Sequence, residues 1–165
     1  MKKAICNSSP IISLSRIGKQ NLLWENFEII IPRAVYDEIV TEAKEDKSGK
    51  HELIKAIEMN YIRIMDIKDK EFVEKTYGHF HRGELEVIVL AKELNIDTVI
   101  IDEKSARTLA KSFLLRPIGI IGILILSKKK RLINSIKPYL DELRRNKYRI
   151  SDKLYFEILN NEGEI

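Results

Sequence analysis

The feature that most constrains this chain is its rhythm. Short apolar runs of strand length recur, and a segment of helical character separates each from the next. Residues 3–6, 28–31, 61–66, 98–101 and 116–118 read as strands. The first helix starts at Ser9-Pro10, with Ser9 as its N-cap and Pro10 at the first helical position. Further helical segments cover 33–46, 50–60, 71–77, 83–95 and 104–114, and three more close the chain near 120–130, 133–146 and 152–161. Strands joined through helices need crossover connections. The spacing therefore predicts an α/β fold, a three-layer α/β/α sandwich with a mostly parallel central sheet. At 165 residues, with no repeat and no Pro/Gly linker, one domain over 1–165 is expected, its C-terminal helical segments (about 133–165) packed on it.

Composition narrows the classes. Apolar residues make up 44% and charged residues 33%, a globular composition and not a disordered or membrane one. No apolar run reaches the roughly 18 residues of a membrane span. The start, MKKAICNSSP, lacks the apolar run of roughly 7–15 residues that a secretory signal needs. The single Cys6 has no internal partner and reads as a small core residue. A cytoplasmic protein is expected, and abundant Ile, Lys and Glu beside scarce Gln lean toward a thermophilic prokaryote. The formal charge of +4 decides nothing, but its distribution is uneven. Lys128–Arg131 and Arg144, Arg145, Lys147 and Arg149 form two basic runs, readable as solvated faces or as contacts to phosphates.

In parallel α/β sheets, ligands bind outside the carboxyl ends of the strands. Strand one runs into Asn7. The stretch DTVIIDEKSAR (97–107) ends its apolar run on Asp102. That acid either caps the following helix or belongs to a site. Asp66 also follows a strand, but nothing else selects it. A carboxylate on an apolar helix face needs a reason, because burying a lone charge is costly. On helix 83–94, Val87, Ile88, Leu90, Ala91 and Leu94 define the buried face. Glu84 falls inside that stripe at the first turn, where the helix dipole favours its charge. Glu86, Lys92 and Glu93 fall on the wet side. On helix 33–46, Glu38 sits at the margin of the core face and Asp37 beyond it, so phase alone leaves Glu38 undecided.

Glu38, Glu84 and Asp102, with Asn7 beside them, would thus meet at one end of the sheet. Clustered carboxylates repel, and a hard divalent cation removes the conflict. Oxygen-only ligands favour magnesium or manganese over zinc. His51, His79 and His81 lack ligand spacing and read as structural or exposed.

With these residues in view, the chain resembles the PIN domain, and more narrowly the stand-alone toxin-like branch related to VapC ribonucleases. The resemblance rests on CNSSPIISLSRIGK (6–19), IIIPRAVYDEIV (29–40), GELEVIVLAKELNIDTVIIDEKSAR (83–107) and KPYLDELRRNKYRISDKLYFEIL (137–159). It implies a metal-dependent ribonuclease, commonly the toxin of a toxin–antitoxin pair. The implied metal ligands are Asn7, Glu38, Glu84 and Asp102, holding Mg2+ or Mn2+, with Glu38, Glu84 and Asp102 as the catalytic acids. Asn7 stands where many PIN nucleases have aspartate. Ser8, Lys104 and Arg107 are the candidate substrate contacts; for Arg107 a structural ion pair is the favoured reading. The resemblance also implies an RNA substrate, a small antitoxin protein over the acidic site, and a homodimer.

Two other classes compete. Asn7 lowers the charge of the site, so a catalytically impaired module that binds RNA or a protein partner is the alternative. A nucleotide-binding domain of another kind lacks support: there is no GxGxxG and no phosphate-loop lysine, and Gly119 and Gly122 read as a turn into an apolar helix. The apolar stretch 118–126 reads as core or as a dimer face.

Overall fold

A computed structural model describes residues 1–43 and 48–165. Its centre is a five-stranded sheet in the order β3-β2-β1-β4-β5. The strands are β1 Lys3–Cys6, β2 Glu28–Pro32, β3 Ile62–Met65, β4 Thr98–Ile100 and β5 Arg116–Ile118. All four pairings are parallel, so the expected mostly parallel sheet is wholly parallel. Helices flank it, in keeping with a three-layer sandwich.

The central strands are legible because inner strands of a parallel sheet are covered on both faces and become nearly continuous apolar runs. Ala4, Ile5 and Cys6 of β1 and Val99 and Ile100 of β4 are fully buried, as is Ile101 just beyond. Each such Ile stabilises the fold by about 1.5–3 kcal/mol relative to an exposed position. The core continues through Leu85, Ile88 and Leu90 of the helix that crosses this part of the sheet.

The helices are α1 Ser8–Arg16, α2 Asn21–Asn26, α3 Arg33–Tyr36, α4 Lys50–Glu58, α5 Lys70–Thr76, α6 Arg82–Glu93, α7 Lys104–Ser112, α8 Ile120–Lys129, α9 Lys137–Arg145 and α10 Asp152–Asn161. Three differ from expectation. The first starts two residues early, with Asn7 rather than Ser9 at the N-cap position and Pro10 inside the first turn. The helix expected over 33–46 is α3 followed by a π-helical stretch, Asp37–Thr41, and its last residues, 44–46, lie outside the described residues. The short α2 carries too few residues to show a period and escapes a sequence reading.

α1 ends through Gly18 in the left-handed region, and α4 and α6 end through Asn60 and Asn95 there, the residue types that tolerate it. The C-terminal helices are tied back by Glu164. Its carboxylate accepts from Ile136 N–H, Lys137 N–H and Lys128 Nζ. The basic runs are partly consumed by such contacts. Lys130 donates to the Asn26 carbonyl, Arg144 pairs with Asp152, and Arg145 pairs with Glu142. Lys129, Arg131, Lys147 and Arg149 are exposed. In the 118–126 stretch Ile120, Ile123 and Leu124 are core, while Ile118, Ile121, Ile125 and Leu126 are only half-buried.

Candidate functional site

Crossover connections place the ends of β1, β2 and β4 on one edge of the sheet, and the candidate residues follow those ends. Asn7 is the first residue after β1. Its N–H donates to the Ile100 carbonyl at 3.0 Å, extending the β1–β4 ladder by one rung and fixing the backbone. The side chain is only 4% exposed. Asn7 occupies an N-cap position with extended backbone, where Asn ordinarily accepts a helix N–H, yet its side chain makes no cap bond. Oδ1 is buried without a hydrogen-bond partner.

Glu38 reaches the same place from the π-helical stretch after β2. Its Oε2 accepts from Ser8 Oγ at 2.8 Å. Ser8 thus holds a carboxylate, and Ser9, expected as the cap, is an exposed residue inside the helix. Gly83 at the start of α6 is the floor beneath both. A Cβ built there would stand 3.3 Å from Glu38 Oε2 and 3.4 Å from Asn7 Oδ1.

Asp102 lies two residues past β4. Oδ1 accepts from Ile120 N–H at 2.9 Å, so this acid caps α8 and not the following α7, whose N-cap position is Glu103. Gly119 permits the approach: a Cβ there would be 2.6 Å from Asp102 Oδ1 and 3.0 Å from Arg107 Nη1. Burial raises the Asp102 pKa, against the lowering pull of Ile120 N–H, the Tyr148 hydroxyl and the Arg107 charge. Oδ2 is buried with no hydrogen bond closed to it. Among the described residues no ion pair joins Arg107 to Asp102. Lys104 is exposed at the first residue of α7.

Beneath Asn7 and Asp102 lies Cys6. Its thiol donates to the Asn7 carbonyl at 3.3 Å, and its pKa is driven up by burial first and by the Asp102 charge second. The thiol is therefore inert, and its role is packing.

Glu84 is buried, as its helix phase requires, and accepts from His81 N–H at 3.2 Å. Its pKa is pushed up to about 7, by burial first and then by a hydrogen bond to Glu103, a neighbour the sequence did not point to. Glu86 corrects the helix-phase reading. It is buried too, and its Oε1 accepts from Ala34 N–H at 3.2 Å, at the first turn of α3. The reading assumed one wet face, but α6 lies between the sheet and the α3/α5 layer, and residues 83–91 are all buried. His51, His79 and His81 are exposed.

The structure thus gathers Asn7, Ser8, Glu38 and Gly83 in one group and Asp102, Arg107, Gly119 and Tyr148 in another, and the Cys6 thiol bonds to the Asn7 carbonyl and feels the Asp102 charge. Glu84 sits with Glu103. Among the described residues, no three His, Cys, Asp or Glu side chains form a cluster able to hold a metal ion. The donor chemistry nonetheless suits a hard cation, being oxygen throughout. An orphaned buried oxygen costs about 1–3 kcal/mol and in native proteins calls for an ion, a water or a catalytic role. Asn7 Oδ1 and Asp102 Oδ2 are two such oxygens on neighbouring strand ends. A cavity of about 290 Å³, lined by Asp37, Glu38, Glu42, Tyr77, Arg82 and Gly83 among others, opens beside Glu38.

A family profile described as PIN domain matches residues 3–164. No curated protein and no solved structure matches the chain significantly. PIN domains are usually nucleases and typically use divalent metal ions. No helix among the described residues is long and apolar enough to cross a membrane.

Proposed function

The chain belongs to the PIN-domain family, and from that premise we propose that it is a metal-dependent endoribonuclease hydrolysing RNA phosphodiesters. The observation that carries the proposal is the pair of orphaned buried oxygens, Asn7 Oδ1 and Asp102 Oδ2, at adjacent ends of a parallel sheet. Asn7, Glu38, Glu84 and Asp102 would hold magnesium or manganese. When bound, such an ion acidifies a coordinated water and offsets charge on the phosphate.

The chain's own groups prepare that chemistry. Ser8 Oγ fixes the Glu38 carboxylate, and Ile120 N–H fixes Asp102 through Oδ1, which leaves Oδ2 for the ligand. Glu84, with its pKa near 7, suits proton transfer at neutral pH. The exposed Lys104 and, further along the first turn of α7, Arg107 follow Asp102, where a scissile phosphate would lie. A role as the toxin of a toxin–antitoxin pair, with a small antitoxin protein and a homodimeric state, is the finer form of the proposal; growth arrest on expression of the wild type but not of Asp102→Asn would support it.

A second reading has its own observation. Asn7 is neutral, and the described acids do not gather three to a cluster, so a catalytically impaired module that binds RNA or a partner protein is the rival. The test is cleavage of a mixed single-stranded RNA pool with manganese or magnesium, beside a chelator control and Asp102→Asn. Metal-dependent cleavage lost in the variant supports the nuclease. RNA binding without cleavage under either metal supports the rival.

A further inference from the structure

A larger cavity, about 580 Å³, lies away from this chemistry, between the start of α2 and one face of α4. Tyr61 on its wall immediately precedes β3, and Trp24 stands just before β2, so the cavity belongs to the amino ends of the strands. Asn7 and Asp102 follow the carboxyl ends of theirs. The two sites occupy opposite edges of the sheet.

The walls have a distinct chemistry. The rings of Trp24 and Tyr61 stack, with centroids 5.1 Å apart and planes within 7° of parallel. Tyr61 is 45% exposed and Met59 is 54% exposed, so folding leaves a flat apolar platform in water. Glu52, Lys55 and Met59 recur at helical spacing and present one face of α4 to the cavity. Among the described residues, neither Lys55 nor Glu52 has an ion-pair partner within 4 Å. Gln20 adds a side-chain oxygen that is buried without a hydrogen-bond donor. His51 lies exposed at the cavity's α4 end.

We propose that this cavity binds a nucleotide. The base extends the Trp24–Tyr61 stack, which any base can do because each has a π-face. A ring or exocyclic N–H supplies the donor that Gln20 Oε1 lacks. The phosphate meets Lys55, with His51 beside it, and Glu52 accepts from the ribose hydroxyls. The same chemistry is offered by a free mononucleotide and by the terminal nucleotide of an RNA strand. The inference does not depend on the ribonuclease reading, because no residue of the metal site takes part.

The chain has a single tryptophan, and it lines this cavity, so its fluorescence reports occupancy directly. AMP, GMP, CMP and UMP are titrated separately into the full chain with chelator present. Saturable quenching by at least one is expected at millimolar concentration or below. Affinity falls about tenfold or more in Lys55→Ala and in Tyr61→Ala, returns in Tyr61→Phe, and is unchanged in Asp102→Asn. A 5′-phosphorylated RNA oligonucleotide that quenches as tightly as the mononucleotide assigns the site to a strand end; one that fails to compete assigns it to the free nucleotide. No saturable quenching by any of these ligands, or quenching of equal affinity in a folded Lys55→Ala, overturns the proposal.

Discussion

Replacing Gly119 by alanine tests how Asp102 is held. Gly119 has φ −98° and ψ −175°, extended backbone open to any residue, so the substitution brings no backbone strain. Its effect is steric. The new methyl carbon would sit 2.6 Å from Asp102 Oδ1 and 3.0 Å from Arg107 Nη1, well inside van der Waals contact. Asp102 must swing away, and its 2.9 Å bond from Ile120 N–H must break. A hydrogen bond to a charged group is worth about 1.5–3 kcal/mol. Against this, Gly→Ala stiffens the unfolded chain and returns about 0.4–1 kcal/mol. A net loss of about 0.5–2.5 kcal/mol follows, or about 1–10 °C in Tm for a chain of this size. Thermal unfolding followed by circular dichroism measures it, in a cycle with Asp102→Ala. With the carboxylate removed, the 2.6 Å clash is gone and only the 3.0 Å approach to the end of the flexible Arg107 side chain remains, so Gly119→Ala becomes near neutral or stabilising. An equal loss in both backgrounds, or none in either, would refute the placement of Asp102 over Gly119.

Gly83→Ala separates activity from stability. Its contacts at 3.3–3.4 Å with Glu38 and Asn7 are tight but negotiable, and helix propensity gains up to about 1 kcal/mol. The Tm should move little while metal-dependent RNA cleavage falls by about tenfold or more; cleavage at the wild-type rate would remove Gly83 from the floor of the site. Asn7→Asp adds a charge at a position 4% exposed. Without metal, the urea midpoint near neutral pH should fall. Manganese affinity, read by calorimetry, should rise. Glu84 gives a pH dependence. Its pKa in the fold, about 7, stands above its ordinary 4.5, so its contribution to stability is full below 4.5 and is lost as pH rises toward 7. Glu103→Gln removes the neighbouring charge and should flatten the loss. Urea midpoints of the metal-free protein from pH 4 to 8 decide the point, and an unchanged slope would contradict the pairing.

How far the sequence reached is clearest residue by residue. All five strands were legible, the central β2, β1 and β4 because burial on both faces of a parallel sheet leaves apolar runs with polar ends, the edge strand β3 by its alternation around exposed Arg63. Asn7 and Asp102 were legible for the same reason, as the first polar groups beyond two of those runs. The inward aim of Glu84 followed from helix phase. Phase failed for Glu86, because it reads one buried stripe and α6 is covered on two sides. It was silent on Glu103, whose direction is set by the chain leaving β4 rather than by a helical period. Gly119 was visible only as a turn. That its missing Cβ makes room for Asp102, and that Tyr148 comes down beside that carboxylate, are long-range facts of packing with no local signal. The cap at Asn7 rather than Ser9 is a two-residue shift, within the usual ambiguity of a helix start.

The most direct test of the central claim is anomalous scattering from a crystal soaked in manganese. The account predicts a peak within metal–ligand distance of both Asn7 Oδ1 and Asp102 Oδ2, with Glu38 and Glu84 completing an oxygen shell. A peak confined to Glu84 and Glu103, or to the acids of the cavity beside Glu38, or no peak at saturating manganese, would contradict it.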